Sequence, residues 1–171
     1  MKNTILKFGL LSGLVAAGLM LLSALWFSRS GNMAYGAAVG YTGMIISMIV
    51  VFFGVRSYRD KERNGRISFG EAFKIGGLMA LVSCLIYVIG WLLVYEFVMP
   101  DFMDKYMTFT LEGMRAAGKS DNEIQQAAAD LGKMKAEYDG SVLVRIAYTF
   151  LEPLPTSLLG TLVSALVLKK Q

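Results

Sequence analysis

Four long apolar runs, separated by polar stretches, dominate the pattern of hydrophobic and polar positions along this chain. Each run is about twenty or more residues long, which is the length that a helix needs to cross ~30 Å of hydrocarbon. The fourth contains Pro153 and Pro155, so we expect its helix to bend or break near the outer interface. The pattern predicts an all-α integral membrane protein with four transmembrane helices, at about residues 8–27, 35–55, 72–98 and 145–168.

The first apolar run has a second interpretation, a cleaved secretory signal peptide. The apolar core of a signal peptide is usually about 7–15 residues long and precedes a cleavage site of small residues. This run is longer, and it ends in Trp26 and Phe27, an aromatic pair typical of a membrane interface. These features favour a transmembrane helix that remains in the protein.

A short polar connection at residues 56–68 indicates the orientation of the helices. Five of its first eleven residues are basic: Arg56, Arg59, Lys61, Arg63 and Arg66. Because short basic loops stay in the cytoplasm, we expect this loop and both termini there. The same bases could bind anionic lipid headgroups or serve only to determine topology. Asn64-Gly65 then predicts a turn, and Ser68 and Glu71 have capping-box spacing for a helix that begins near Phe69.

The same loop resembles the central signature of a known family. The resemblance is carried by Gly54-x-Arg56-x-Tyr58-Arg59-Asp60, by the continuous run of residues 64–73, and by Gly76. This pattern is similar to the small bacterial membrane proteins grouped as domain of unknown function 4199. A polar helical insertion before the last apolar segment, prolines at the start of that segment and a double lysine after it also fit. The resemblance implies a four-helix bacterial membrane protein and assigns no activity or functional residues.

A polar segment at residues 100–140 separates the third and fourth apolar runs. Ser120 and Glu123 have capping-box spacing, Gly118 and Gly140 are suited to ending helices, and apolar residues recur at helical spacing on both sides of Gly118. A cytoplasmic Arg56 loop puts this segment on the opposite side of the membrane. We therefore expect an extracytoplasmic amphipathic helical hairpin between the third and fourth transmembrane helices, packed against itself or on the membrane surface.

Composition narrows the chemistry that the chain can perform. It is 55% hydrophobic, whereas soluble domains reach roughly 45–50% even with glycine counted. The absence of histidine excludes a Ser-His-Asp triad, and the single Cys84 has no partner for a thiolate metal site. No nucleotide-binding glycine motif occurs. We expect no enzymatic activity, cofactor or metal, and no nucleic-acid partner, because the net charge of +4 is placed at the membrane edges.

Two sets of residues are candidates for a functional role. Charges at the membrane are functional candidates by default, so Glu96, Arg145 and Glu152 form the first set, with Arg145 pairing with Glu152 or Glu96. The alternative is that all three lie at the outer headgroups and only orient helices. Small residues at four-residue spacing allow close helix packing, within the chain or between chains, and these are Gly9, Gly13, Gly36 and Gly40.

The expected function is that of a non-enzymatic component of the bacterial inner membrane with an interaction or scaffold-like role. Its partners would be the lipid bilayer and either a second copy of the chain or another membrane protein. The alternative is a subunit of a small-molecule or ion transporter that acts as a homo-oligomer. No span carries a central acidic residue of the kind that proton-coupled carriers use, so the interaction role is preferred.

Overall fold

The computed structural model describes residues 1–30 and 33–170, and the predicted all-α fold class is confirmed there. The described residues form seven helices: α1 (Lys2–Ser30), α2 (Met33–Glu62), α3 (Phe69–Phe97), α4 (Phe102–Ala116), α5 (Asp121–Gly140), α6 (Val142–Leu151) and α7 (Leu154–Leu168). A bundle is formed by α1, α2, α3 and α7, while α6 packs on α3, and α5 packs on both α4 and α6.

Four segments of the described chain are long and apolar enough to cross a membrane: Lys2–Ser30, Ala38–Glu62, Phe69–Phe97 and Val142–Leu168. No more than 39% of the residues in their most apolar windows are buried inside the protein. Side chains such as Leu14 and Leu22 are 62% and 61% exposed, and soluble monomers rarely expose apolar surface over such an area. This apolar exterior is suited to lipid, and the chain is a multi-pass membrane protein.

The bundle is tightly packed where α1 meets α3, because small residues of α1 lie at that contact. A Cβ atom added to Gly9 would lie 2.8 Å from Val82 Cβ, and one added to Gly13 would lie 2.7 Å from Ile86 Cβ. The predicted close-packing face of α1 therefore contacts α3 of the same chain. It is not available to a second copy.

The glycines of α2 differ from one another in their surroundings. Gly36 contacts α1, since Ser23 Oγ donates a hydrogen bond of 2.7 Å to its carbonyl oxygen. A Cβ added to Gly40 would meet nothing within 4 Å, so this residue makes no close helix contact within the described chain. The first two predicted spans left residues 28–34 as a polar turn between them, and the observed connection is shorter, because α1 continues to Ser30 and α2 begins at Met33. Residues 31 and 32 lie outside the described residues.

The connection between α2 and α3 is also shorter than the predicted loop of residues 56–68, because α2 continues to Glu62. Residues 56–63 contain no proline or glycine that would end the helix. Asn64 and Gly65 follow, and their φ angles of 52° and 81° turn the chain. Ser68 Oγ then accepts a hydrogen bond of 3.2 Å from the amide of Glu71. The predicted capping box is only half present at this helix, because the Glu71 carboxylate binds Arg63 and Tyr58 instead.

The start, middle and end of the described chain meet at one end of the bundle. Ile67 and Lys170 form an isolated antiparallel bridge, with each amide donating a 2.9 Å hydrogen bond to the other carbonyl oxygen. Thr4 and the amino group of Met1 both contact Glu62. This end, which we call the basic end, therefore places the α2–α3 connection beside both ends of the described chain.

The last apolar segment is interrupted where its prolines predict. α6 ends at Leu151 and α7 begins at Leu154, because Pro153 has no amide hydrogen to continue the ladder. The predicted fourth span is thus two helices rather than one kinked helix. α6 starts three residues earlier than the predicted span, at Val142, with Ser141 accepting a hydrogen bond from the Val144 amide.

Candidate functional site

A cavity of about 410 Å³ lies at the end of the bundle opposite the basic end. Its wall is built from the second halves of α1 and α3, the first half of α2 and the α6 region, and it is covered by α4 and α5. Binding sites for small molecules commonly have volumes of roughly 300–1,000 Å³. The cavity is therefore large enough for an organic ligand.

Aromatic and methionine side chains form most of the cavity wall. Among the eight aromatic residues, Trp91 and Phe102 pack edge to face with ring centroids 4.8 Å apart, and this pair joins α3 to α4. The methionines contribute unbranched, polarisable thioethers that can adapt to irregular shapes, and they are Met20, Met33, Met99, Met103 and Met134. Such a wall favours a ligand with a substantial apolar body.

Glu152 is the one formally charged residue among the described residues that line the cavity. Tyr87, which is only 5% exposed, donates a hydrogen bond of 3.3 Å from its hydroxyl to Glu152 Oε2. Glu152 follows directly on the last residue of α6 and keeps helical φ and ψ angles of −60° and −55°, so this carboxylate lies one residue before the proline break. It stays exposed, unlike its neighbour Tyr87.

The cavity has an opening between α2 and α6. Besides Glu152, the lining residues with the greatest exposure are Tyr41 on α2, at 61%, and Tyr148 on α6, at 48%. Both belong to segments long and apolar enough to cross a membrane. The opening is thus on the lateral surface of the bundle, with amphipathic tyrosine rings on both sides.

The α4–α5 pair forms a cover that is attached to α3 by polar contacts. Trp91 Nε1 donates a hydrogen bond of 2.5 Å to the Tyr138 hydroxyl, and the Tyr95 hydroxyl donates to the Asp139 carboxylate. Lys135 Nζ lies 3.0 Å from Asp104 and 2.7 Å from Asp139, which joins the end of α5 to the start of α4. The two helices of the cover therefore run antiparallel over the cavity.

These contacts and partial burial shift the pKa values of three groups in the cover. Hydrogen bonds from Lys135 to Asp139 and Asp104 raise the pKa of the Lys135 ammonium. Partial burial raises the pKa of the Asp139 carboxyl, but its bonds with Lys135 and Tyr95 outweigh that effect and lower it. Burial also raises the pKa of the Tyr138 hydroxyl. At neutral pH the cover therefore holds an ionised Lys135–Asp139 pair and a neutral Tyr138.

The predicted pairing of Arg145 with Glu152 or Glu96 is not found, since no ion pair joins these described residues. Arg145 and Glu152 do share one face of α6, but residues seven apart lie roughly 10 Å apart along the helix axis, which is too far for a direct ion pair. Instead the Arg145 guanidinium lies over the Tyr95 ring, 4.7 Å from its centroid, and its Nε is buried without a hydrogen-bond partner. Glu96 is exposed and does not line the cavity.

The predicted basic loop residues lie at the other end of the bundle and do not reach the cavity. Arg56 and Arg59 both lie near Asp60, at 3.7 Å and 2.7 Å, and an Arg59 nitrogen is 3.5 Å from the Leu168 carbonyl oxygen. Arg63 binds Glu71, and this hydrogen bond raises the pKa of the guanidinium. Exposed side chains are found at Lys61 and Arg66.

Most of the cavity was not identified from the sequence, because its residues are spread over six helices. Of the predicted residues, only Glu152, Gly36 and Gly40 line it. One local signal was present, a carboxylate placed directly before a proline in an apolar segment. No group of three or more histidine, cysteine or carboxylate residues able to hold a metal ion occurs in the described part of the chain.

Comparison with known proteins identifies a family for this chain. A family model described as "Protein of unknown function (DUF4199)" matches residues 7–170. No curated protein and no solved structure shows a significant match. The match covers nearly the whole chain, including the basic loop, the cavity and its cover.

Proposed function

Because the chain belongs to the DUF4199 family, whose description assigns no activity, we propose a function from its geometry: it is a non-enzymatic membrane protein that binds a partly apolar small molecule in the cavity beneath α4 and α5. The observation that carries this proposal is the cavity of about 410 Å³ with its aromatic and methionine wall. The described residues of the wall include no histidine, lysine or cysteine, and no metal-binding group occurs in the described chain, so binding is better supported than catalysis.

The proposal includes an orientation in the bacterial inner membrane. The basic end, with the Arg56 loop and both ends of the described chain, faces the cytoplasm, and the α4–α5 cover is an extracytoplasmic helical hairpin. Two observations support this: the ends of the described chain meet the basic loop at the same end of the bundle, and short basic loops are retained in the cytoplasm. The ligand then enters laterally, from the outer leaflet, between Tyr41 and Tyr148.

A transporter has less support than a binding protein. Between the cavity and the basic end the bundle is filled by side chains with almost no exposure, including Val55, Ile75 and Met79 at 0–1%. In the described part of the chain, this packing leaves no open path from the cavity to the basic end. In this proposal, the interaction role expected from the sequence is the binding of a ligand in the cavity beneath the cover.

A neutral apolar photoprobe, a phenyl diazirine added to membranes, tests the binding function. Met99 and Met103 line the cavity but are only 1% and 3% exposed, so lipid on the outer surface does not reach them. We expect mass spectrometry to find label on these two methionines as well as on lipid-facing Leu85. Label on Leu85 without any on Met99 or Met103 would refute the proposal.

Two matched variants distinguish cavity labelling from surface labelling. Gly40 lines the cavity and an added Cβ would meet no neighbour, so Gly40→Phe fills the cavity without a backbone clash. Gly18 is equally open but lies on the exposed surface of α1. Labelling of Met103 is expected to fall in Gly40→Phe and to persist in Gly18→Phe.

A further inference from the structure

We propose that the cavity selects organic cations, in which a positive charge is attached to or shielded by an apolar, aromatic-sized body. This inference rests on the proposed function, because it names the class of ligand that the same cavity binds. It follows from three properties of the cavity: the sign of its one formal charge, the partners of that charge, and the aromatic surfaces around it.

The Glu152 carboxylate has capacity for a ligand. Within the described chain it accepts one hydrogen bond, from Tyr87 at 3.3 Å, and it forms no ion pair. A carboxylate has about four lone-pair positions, so most remain open toward the cavity. A positive charge in the cavity would be stabilised by Glu152 without displacing any cationic residue.

The cationic side chains near the cavity are engaged elsewhere. The Arg145 guanidinium lies over the Tyr95 ring and is not part of the cavity wall. Lys135 is bonded to Asp104 and Asp139, and Lys105 is bonded to Asp101 with its ammonium 5.8 Å from the Phe27 ring centroid. The described wall thus presents one carboxylate and no basic side chain. Its negative charge would attract a cation and repel an anion.

Aromatic rings supply the second recognition element. Trp91, Tyr87, Tyr138 and Tyr148 line the cavity with Glu152, and aromatic faces attract cations, most strongly when water is excluded. A cation with an apolar body also partitions into a bilayer, from which the opening between Tyr41 and Tyr148 is reached. A small hydrated ion would gain little from this wall, because its desolvation would not be offset by the methionine and aromatic side chains.

The test compares tetraphenylphosphonium with tetraphenylborate, two probes of matched shape and opposite charge. The chain has two tryptophans, and Trp26 does not line the cavity. In Trp26→Phe protein, Trp91 is therefore the single reporter in the cavity wall. The protein is reconstituted into phosphatidylcholine nanodiscs, each probe is titrated, and partitioning into empty discs is subtracted.

We expect tetraphenylphosphonium to change Trp91 fluorescence saturably and more tightly than tetraphenylborate. Glu152→Gln should weaken tetraphenylphosphonium affinity about tenfold or more, because a partly desolvated charge contact is lost. Glu96→Gln, which removes an exposed carboxylate outside the cavity, should leave the affinity unchanged. The comparison of the two probes needs no variant, so the test does not depend on whether Glu152→Gln folds.

The possible outcomes distinguish a wrong inference about the ligand class from a wrong inference about the binding function. Equal or tighter binding of tetraphenylborate, or an affinity for tetraphenylphosphonium that survives Glu152→Gln, would overturn the inference about cations while the photoprobe labelling of Met103 still supports a binding cavity. A tetraphenylphosphonium response that persists in Gly40→Phe would show that the cation binds elsewhere and would also overturn the inference. Loss of both probe binding and photolabelling would overturn the proposed function itself.

Discussion

Replacing Gly13 by alanine should destabilise the bundle at the α1–α3 contact. The new Cβ would lie 2.7 Å from Ile86 Cβ and 3.0 Å from the Ser83 carbonyl oxygen. Carbon atoms in contact prefer about 3.5–4.0 Å, so the two helices must separate by roughly 1 Å. Overpacking of this kind usually costs about 1–3 kcal/mol.

The separation also strains a buried hydrogen bond in the same layer. Ser12 Oγ and Ser83 Oγ lie 3.0 Å apart, and Ser12 also donates to the Ser47 carbonyl oxygen at 3.0 Å. Stretching one such bond costs up to about 1 kcal/mol, which is similar to the gain in helix propensity from glycine to alanine. A net loss of about 2 kcal/mol remains, equivalent to a fall of roughly 4–8 °C in the unfolding temperature for a chain of this size.

The single cysteine provides the assay. Cys84 is 4% exposed, so a fluorogenic maleimide reacts with it only when the bundle opens. Fluorescence during heating then reports the unfolding temperature. Gly18→Ala is the matched control on the same helix, because its Cβ would meet nothing within 4 Å. If Gly13→Ala and Gly18→Ala become labelled at the same temperature, the α1–α3 packing is not as described.

Three further predictions concern orientation, the basic end and the cover. A cysteine at Asn64 should react with an impermeant maleimide only after cells are opened, whereas one at Ser120 should react in spheroplasts. Lys170→Pro removes the amide that donates to Ile67, so tryptic cleavage at Arg66 should become about fivefold faster, as expected for ~1 kcal/mol. Hydrogen bonds from Lys119 and then from Ser120 of the capping box lower the pKa of Glu123 from 4.5 to about 2. The stabilisation of α5 by these contacts is therefore complete above pH 4.5 and is lost as pH falls through about 2, which circular dichroism should detect.

Each of these three has an outcome that contradicts it. Labelling of a cysteine at Ser120 only in opened cells would reverse the orientation. Lys170→Ala keeps the amide and should retain the slow cleavage, so equally fast cleavage in both variants would show that the bridge is unimportant. Glu123→Gln cannot ionise, and an acid transition of the same amplitude in that variant would remove the capping box as its cause.

The presence of the long helices follows from local features of the sequence, although α1 and α2 extend beyond the predicted spans. Apolar runs of spanning length give α1, α2 and α3, and the turn of Asn64 and Gly65 has the positive φ angles that this pair predicts. The Ser120–Glu123 capping box is complete, whereas Ser68 and Glu71 form only half of one. The difference arises because the Glu71 carboxylate accepts hydrogen bonds from Arg63 and Tyr58. The spacing of Ser68 and Glu71 does not reveal these alternative partners.

The cavity could not be predicted because it depends on which helix faces meet. The spacing of Gly9 and Gly13 indicates a face of α1 that another backbone can approach, but it does not identify α3 as the partner. Likewise, Glu152 was recognised as a charge near the membrane, while its hydrogen bond with Tyr87 joins residues on separate helices. Pairing Arg145 with Glu152 was wrong because residues seven apart share a helix face but lie roughly 10 Å apart along its axis, and Arg145 contacts Tyr95 instead.

The bridge between Ile67 and Lys170 also limits the order in which the chain can mature. Ile67 is synthesised well before Lys170, so the α2–α3 connection lacks its backbone partner while α4 to α7 are made. Closure of that end therefore requires that α7 has been made. A chain that stops before Lys170 lacks this bridge, so its α2–α3 connection should be more accessible to proteases.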